Sequence, residues 1–227
     1  MRPRLLDLFC GAGGAGVGYQ RAGFDVFGVD IEPHPTCPFP VLIGDALCVL
    51  CSVNLTHYDA IHASPPCQAH TTMSNRWRGA GGKADAHLDL IGDVRDLLIA
   101  SGKPYVIENV PGARDEMRSP FLLHGGMFGL RVNRPRLFEV SVPVCSPPYA
   151  PSVRDPIGVY GRQPDGRRLF TRKDGSVQRA AKGLAEGREA MGIEWMDWRD
   201  LTEAIPPAYT EWVGRQLLNT AVLAEAS

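Results

Sequence analysis

The residues best suited to covalent chemistry in this chain are a cysteine and a glutamate, each at the end of a short apolar run. Cys67 follows Ser64-Pro65-Pro66, so its thiol would be carried on stiff backbone, which suits a nucleophile. Glu108 follows Val106-Ile107, where a buried carboxyl group with a raised pKa could act as a general acid. Taken singly, each residue also has a structural interpretation: a small buried cysteine in a proline turn, and a glutamate that caps a turn.

A glycine-rich segment near the start of the chain indicates a nucleotide-like ligand. The segment 11–16 has the pattern G-x-G-x-x-G, and it stands between an apolar run and a predicted helix. Asp30 lies about 20 residues further on, where a carboxylate can accept hydrogen bonds from ribose hydroxyls. This pattern does not distinguish a nicotinamide cofactor from S-adenosylmethionine, and a glycine turn without a ligand is its structural alternative.

A third group with chemical potential is the pair Arg134 and Arg136, which flank Pro135. Arginines on backbone constrained by a proline can present forked donors to an anion or to a base carbonyl. Surface arginine pairs are common, so this pair alone is weak evidence.

Short apolar runs alternating with helical periodicity predict how these residues are positioned. Strands are predicted over 4–9, 25–29, 41–43, 58–63, 104–107 and 137–142, and helices over 17–22, 86–101 and 195–225. This alternation is typical of the α/β class, with a doubly wound, mostly parallel sheet. Residues 143–190 carry prolines and Asp-Gly turns without a long apolar period, and are predicted to be a loop-rich, basic insertion. We therefore expect a catalytic, cofactor-binding domain over 1–139 and 196–227, and a small target-recognition region over 140–195.

Composition and charge limit the classes of partner. The 227 residues have a net charge of −1, an apolar fraction of 44% and no run long enough to span a bilayer, so we expect a cytoplasmic protein without a membrane partner. Residues 131–188 nevertheless contain twelve lysines and arginines against five acidic residues, which indicates a polyanionic partner for that segment.

The six cysteines are predicted to be free thiols. No export signal is evident, and Cys48-x-x-Cys51 has no second close pair with which to complete a zinc site. No metal is therefore expected.

Five blocks of the chain resemble, in the same order, the blocks of the cytosine-5 DNA methyltransferase family. They lie at 7–14 (DLFCGAGG), 65–68 (PPCQ), 108–110 (ENV), 133–136 (NRPR) and 203–207 (EAIPP). The likeness covers about 1–142 and 198–222. The small size of the chain is similar to that of the members encoded by phages and prophages, which places it with enzymes of restriction and modification.

The resemblance implies a role for each matched residue. S-adenosylmethionine is expected to lie against Phe9, Gly11, Gly13, Asp30, Ile31, Asp45 and Pro66. Of these, Asp30 would hold the ribose, Ile31 would lie on the adenine ring and Asp45 would meet the adenine amino group. Cys67 is the implied nucleophile, Glu108 the acid at the cytosine ring and Arg136 a partner of both, with Arg134 beside it. The implied partner is double-stranded DNA with a flipped cytosine, bound by a monomer through the basic segment 131–188.

Three alternatives remain open at this point. An RNA cytosine-5 methyltransferase could use the same core. A catalytically idle protein that binds DNA or senses its modification could keep the fold, although the presence of Cys67, Glu108 and Arg136 together disfavours it. A nicotinamide oxidoreductase would explain the glycine segment, but it leaves Cys67 and Glu108 without a role.

Overall fold

The computed structural model describes residues 2–66, 90–145, 147–161, 164, 166, 169–171 and 177–225. Within them, seven strands form one main sheet in the order β3-β2-β1-β4-β5-β7-β6. The strands are β1 (Arg4–Leu8), β2 (Asp25–Asp30), β3 (Val41–Ile43), β4 (Ala60–Ala63), β5 (Tyr105–Asn109), β6 (Phe121–Leu123) and β7 (Arg136–Val140). The first five pair in parallel, and β7 runs antiparallel to both β5 and β6. The prediction of a doubly wound, mostly parallel sheet is confirmed.

The chain order reverses between β1 and β4, and this reversal creates a crevice. From β1 the chain builds outward through β2 and β3, and it then returns to add β4 and β5 on the other side of β1. In open α/β sheets, ligands bind where the strand order reverses, at the carboxyl ends of the strands. The glycine segment follows β1 and the Ser-Pro-Pro segment follows β4, so both of them lead out of this crevice.

Helices cover both faces of the sheet. The six helices in the described residues are α1 (Gly14–Ala22), α2 (Ala46–Ser52), α3 (Ile91–Ala100), α4 (Leu184–Met191), α5 (Trp198–Glu203) and α6 (Pro207–Glu225). Tyr19 of α1 and Val213 of α6 belong to one apolar core, while Leu50 of α2 and Leu98 of α3 belong to a second. With apolar layers on both faces, the central strands read as nearly continuous apolar runs.

Three helices depart from the predicted bounds. Helix α1 begins at Gly14 rather than at residue 17, so part of the glycine segment is helical. The predicted helix 195–225 is two helices, because Pro206 and Pro207 interrupt it and Pro207 starts α6, where a missing N–H costs nothing. Helix α3 begins at Ile91, and positions 86–89 of its predicted range lie outside the described residues.

The segment 143–190, predicted to be loop-rich, also contains short elements that the sequence analysis did not predict. Strands β8 (Ile157–Gly158), β9 (Leu169–Thr171) and β10 (Val177–Ala180) form a small sheet in the order β8-β10-β9, and α4 follows it. Their apolar side chains are too few and too short in period to be recognised from sequence. Ile157 of β8 is buried in a third core cluster that also includes Ala12 of the glycine segment. The predicted division into a catalytic domain and a recognition region at 140–195 stays a prediction.

Candidate functional site

The turn after β1 has backbone conformations that few residues adopt. Phe9 has φ +59°, Gly11 φ +50° and Gly13 φ +86°, and Gly13 precedes α1 as its N-cap. A Cβ at Gly13 would lie 2.9 Å from the Cys37 Sγ and the Phe39 ring, so only glycine fits there. A Cβ at Gly11 would meet nothing within 4 Å, so the backbone at that point borders open space.

Asp30, at the end of β2, is held against this turn. Its Oδ2 accepts a hydrogen bond from the Gly11 N–H at 2.7 Å, and its Oδ1 accepts one from the Glu32 N–H at 3.0 Å. Ile31 follows and is 71% exposed, an unusual state for an isoleucine beside a cleft. A carboxylate has further lone pairs to offer, so Asp30 can still accept from a ligand hydroxyl.

Asp45 lies at the end of the neighbouring strand and caps α2. Its Oδ1 accepts from the Cys48 N–H at 2.9 Å, and this hydrogen bond is the main reason that the pKa of Asp45 lies below its usual range. A groove next to it is lined by residues of the β2–β3 connection and by β3, among them His34, Phe39 and Ile43. The structure therefore brings Gly11, Asp30, Ile31 and Asp45 to one edge of the sheet.

The other side of the crevice is the segment that follows β4. Pro65 is buried and Pro66 is exposed, and the Asn109 amide donates to the Pro65 carbonyl oxygen at 3.1 Å. This bond ties the segment to the end of β5, directly after Glu108. Cys67, the predicted nucleophile, lies outside the described residues.

Glu108 is buried at the end of β5 and faces an arginine. The Arg136 Nε lies 2.9 Å from the Glu108 Oε1. Burial raises the pKa of Glu108 above its usual value, while Arg136 and the Ser64 hydroxyl oppose that rise. A carboxyl group with this balance is suited to give and take a proton.

Arg134 and Arg136, although they are two positions apart, do different things. The buried Arg134 guanidinium donates to three backbone carbonyl oxygens, those of Val159, Thr202 and Ala204. Its backbone has φ +35°, and burial lowers its pKa to about 10. Of the two arginines, Arg136 is the one that forms an ion pair with Glu108. The catalytic assignment of Arg134 stays a prediction, since its described contacts join segments of the chain.

The segment 195–207 lies against the glycine turn. The Trp195 indole donates to the Ala12 carbonyl oxygen at 2.8 Å, and a Cβ at Gly14 would lie 2.6 Å from the Ile205 carbonyl oxygen. The segment 195–207 thus covers one side of the turn that contains Gly11.

Four polar residues near this site receive no role in the sequence analysis: Asp7, Tyr19, His62 and Ser64. Asp7 and His62 are fully buried within β1 and β4. The signal that could have found them is a polar residue on a strand that is otherwise apolar, because burial of such a group requires a partner or a changed protonation state. His62, which the sequence analysis left without a role, has hydrogen-bond partners on both ring nitrogens.

The described residues show no helix with both the length and the apolarity that crossing a membrane demands, and no cluster of three or more side chains that could hold a metal ion. Within the same residues the cysteines at 10, 37, 48, 51 and 145 are free. Cys48 and Cys51 are exposed on α2, although their segment reads as apolar in the sequence.

Comparisons with known proteins find relatives over half of the chain and a shared fold over nearly all of it. No protein-family model matches the chain. The type II methyltransferase M.AquIA of Picosynechococcus sp. is 30% identical over 128 residues, which are 49% of this chain and 50% of that protein. The type II methyltransferase M.XorII of Xanthomonas oryzae pv. oryzae is 31% identical over 127 residues, 49% of this chain and 29% of that protein. The match with these curated relatives thus spans half of their length or less.

Solved structures match over nearly the whole chain. A protein assigned as a DNA modification methyltransferase, encoded within a prophage of E. coli, has a TM-score of 0.61 at 15% identity and covers 97% of this chain and 99% of its own. A DNMT2 variant of Spodoptera frugiperda has a TM-score of 0.56 at 14% identity and covers 95% of this chain and 99% of its own. At such identities these likenesses establish the fold. Over half of its length the chain is similar to type II methyltransferases, and it has the fold of the two solved methyltransferase structures.

These likenesses agree with what the five blocks of sequence indicate. In the described residues, the first block follows β1 and Pro65-Pro66 follow β4, on the two sides of the crevice. Glu108 at the end of β5 pairs with Arg136, and the Ile205 backbone packs against Gly14. The roles that the resemblance implies for single residues stay predictions, as does the likeness in size to members encoded by phages.

Proposed function

We propose that this methyltransferase transfers a methyl group from S-adenosylmethionine to carbon 5 of a cytosine in double-stranded DNA, through a covalent adduct of Cys67. One observation carries the proposal. The buried Glu108 carboxyl is held by the Arg136 Nε at 2.9 Å, at the edge of the crevice where the Pro65-Pro66 segment leads into Cys67. The curated relatives, which are type II methyltransferases, support the transfer of a methyl group to DNA.

The residues at the glycine turn fit the cofactor. Open space borders Gly11, and the Asp30 carboxylate beside it has capacity for ribose hydroxyls. Exposed Ile31 offers an apolar surface for adenine, and exposed Asp45 offers an acceptor for its amino group. Phe9, Gly13 and Pro66 would complete the pocket. When bound, S-adenosylmethionine supplies an electrophilic methyl group.

The protein must make carbon 5 of cytosine nucleophilic. In the proposed reaction the Cys67 thiolate forms a bond to carbon 6, and an electron pair moves from the carbon 5–carbon 6 double bond toward carbon 5. Glu108 gives a proton or a strong hydrogen bond to the ring nitrogen, and Arg136 steadies that carboxyl group. Carbon 5 would then bond to the methyl carbon as the bond between that carbon and the sulfonium sulfur breaks, and S-adenosylhomocysteine would leave. A base then removes the carbon 5 proton, which restores the double bond and releases the thiolate.

The target base must leave the duplex, at a cost on the order of a few kcal/mol. Contacts between phosphates and the basic segment 131–188 would offset this cost. This role for the segment is part of the proposal.

Covalent trapping tests the proposal. Duplexes of random sequence carrying 5-fluorocytosine should form a denaturant-resistant complex with the protein in the presence of S-adenosylmethionine, because fluorine cannot leave as a proton does. Cys67→Ala should form no such complex, yet bind the cofactor as the wild type does. Trapping on 5-fluorocytosine transfer RNA alone would indicate the RNA enzyme, and DNA binding without any trapping would indicate an idle protein.

The role of Glu108 is tested by Glu108→Gln. Loss of the acid should slow methyl transfer about 10²- to 10⁴-fold, with cofactor affinity unchanged. Single-turnover rates with radiolabelled methyl donor measure this. Glu116→Gln, at an exposed position after β5, is the matched control and should transfer at the wild-type rate. A wild-type rate for Glu108→Gln would contradict the assignment.

A further inference from the structure

A chain of hydrogen bonds in the interior, formed by three side chains from two elements, has no part in the mechanism above. The Tyr19 hydroxyl of α1 lies 2.9 Å from the His62 Nδ1, and the His62 Nε2 lies 2.8 Å from the Ser64 Oγ. Tyr19 and His62 are 0% exposed. Polar groups buried this deeply are costly unless they are hydrogen-bonded, and these three side chains satisfy one another.

The chain of hydrogen bonds leads toward Glu108. Strands β4 and β5 pair in parallel, with His62 beside Val106 and Ala63 beside Ile107. Continued by one residue, this register brings Ser64 beside Glu108. Side chains of paired residues in a parallel ladder lie on the same face of the sheet, so the Ser64 hydroxyl is placed to donate to this carboxyl group, and such donation lowers the pKa of Glu108.

The hydrogen bonds of this chain have a preferred direction from donor to acceptor. Burial lowers the pKa of His62 to about 3, so its ring is neutral and carries a single N–H. With that hydrogen on Nε2, the ring donates to Ser64, Tyr19 donates to Nδ1, and the Ser64 hydroxyl hydrogen is left for Glu108. With the hydrogen on Nδ1, the Tyr19 hydroxyl hydrogen would have no acceptor among the described residues, which would cost a buried hydrogen bond.

We propose that Ser64 and His62 are positioning residues for Glu108, which hold its carboxyl group through a one-directional hydrogen-bond chain that begins at Tyr19. The inference rests on the function proposed above for Glu108. A neutral His62, fixed in one tautomer, donates its N–H to the Ser64 oxygen. The hydrogen of the Ser64 hydroxyl is then directed toward the Glu108 carboxyl group.

Other groups also face this carboxyl, and the test must separate their effects from that of the chain. In the described part of the protein they come from several elements. They are Arg136 of β7, Arg134 before it, Asp7 of β1, Tyr19 of α1 and Tyr209 of α6. Substitutions at Ser64 and His62 leave these groups in place.

The titration of Glu108 in the free protein tests the inference. The infrared band of its carboxyl group is assigned by its loss in Glu108→Gln and followed against pH, without cofactor or DNA. Ser64→Ala removes one charge-assisted donor, so the titration midpoint should move upward by about one pH unit. Ser64 is only partly buried, so this variant is expected to fold. Thr210→Val, which also removes a buried hydroxyl donor, is the matched control and should leave the midpoint unchanged.

Two substitutions of His62 separate donation from packing. His62→Leu removes the donor to Ser64 and should raise the midpoint, though by less than Ser64→Ala does. His62→Gln keeps an N–H that can reach Ser64 and should restore the wild-type midpoint. An unchanged midpoint in Ser64→Ala, an equal shift in Thr210→Val, or equal shifts in the two His62 variants would each overturn the inference.

These results are separable from the proposed function. Because the titration uses neither methyl donor nor DNA, it reports on the chain even if trapping at Cys67 fails. If both proposals hold, the limb on which methyl transfer falls as pH rises should also move upward in Ser64→Ala, because the acid form of Glu108 persists to higher pH.

Discussion

Asp7 is a carboxyl group carried inside the central strand of the sheet. It is 0% exposed, and neither carboxyl oxygen has a hydrogen-bond partner among the described residues. The His62 Nε2 lies 4.0 Å from the Asp7 Oδ1, and the His62 ring is itself neutral. Burial, with the charge of Asp30 adding to it, raises the pKa of Asp7 well above its ordinary value. The folded protein therefore favours the protonated form of Asp7.

The raised pKa of Asp7 makes the free energy of unfolding fall as pH rises. Since the folded pKa of Asp7 lies above its unfolded value of about 3.9, the associated stability is complete below that value and is lost as pH rises through the folded pKa. Asp7→Asn cannot titrate, so its free energy of unfolding should fall less than that of the wild type between pH 4 and the folded pKa. Urea unfolding at a series of pH values measures both.

Asp25→Asn, which changes an exposed aspartate of the neighbouring strand, is the control and should follow the wild-type curve. Parallel curves for Asp7→Asn and the wild type would show that Asp7 is ionised in the fold.

At the scale of elements, the contact between α1 and α6 depends on small residues. A Cβ at Gly18 would collide with the Thr210 side chain and with the Pro207 carbonyl oxygen, so the two helices approach at backbone distance. The Thr210 hydroxyl also donates to the Ala15 carbonyl oxygen at 2.8 Å, which links α6 to the first turn of α1. Because the glycine turn runs directly into α1, this contact fixes one wall of the proposed cofactor pocket.

Gly18→Ala should therefore destabilise the protein by about 1–3 kcal/mol or more, since a methyl group must be forced into a closed interface. Gly92→Ala is the matched control, because a Cβ at Gly92 of α3 meets open space. It should leave stability unchanged or raise it by up to about 1 kcal/mol through helix propensity. Chemical denaturation of the two variants measures the difference, and equal stabilities would refute the close approach.

At the scale of the whole molecule, Arg134 joins parts of the chain that are far apart in sequence. Its guanidinium donates to Val159 after β8, to Thr202 in α5 and to Ala204 before α6. These bonds hold the small sheet and the closing segment 203–207 against the loop before β7.

Arg134→Met should cost about 3 kcal/mol or more, because it leaves three carbonyl oxygens without their donor. Arg131→Met is the control, because Arg131 is exposed and makes a surface ion pair with Glu189 that is worth about 0–1 kcal/mol. Urea unfolding compares them. A stability of Arg134→Met close to the wild type, with methyl transfer lost, would instead favour the catalytic assignment of Arg134.

Much of the positive charge of the segment 131–188 is engaged within the protein. Arg131, Arg136 and Arg179 pair with glutamates, and Arg134 and Arg188 donate to backbone carbonyls. The arginines and lysine at 162, 167, 168, 172 and 173 lie outside the described residues. The proposed contact with DNA phosphates therefore depends on these positions more than on the engaged arginines.

The salt dependence of DNA binding tests this view. Arg167→Gln combined with Arg168→Gln should reduce the slope of log affinity against log salt by about 2, because each lost phosphate contact removes about 0.9 from the slope. Arg179→Gln combined with Arg131→Gln should change it much less, since both arginines are already paired. Fluorescence anisotropy across a salt series gives the slopes. Equal reductions in the two double variants would contradict the assignment of the phosphate contacts to Arg167 and Arg168 rather than to the paired arginines.

The strand-helix alternation and the sheet class could be predicted from the sequence, and the five blocks could be recognised in it. Apolar periodicity and the positions of glycine and proline act locally, so they need no knowledge of the tertiary structure. It missed β8, β9 and β10 because strands of two to four residues show too little periodicity, and because Ile157 of β8 is buried in one core cluster with distant residues such as Ala12. It missed the link from Tyr19 to His62 because those residues are 43 positions apart.

The contacts of Arg134 and Arg136 could not be predicted without the tertiary structure. In the sequence they are equivalent, two arginines on either side of a proline. In the fold, β7 begins at Arg136 and the backbone at Arg134 has φ +35°, so the two side chains reach different places. Arg136 contacts Glu108, whereas Arg134 is drawn to carbonyl oxygens at 159, 202 and 204. Residue type fixes what a side chain can bind, but the packing of distant segments fixes which partner lies within its reach.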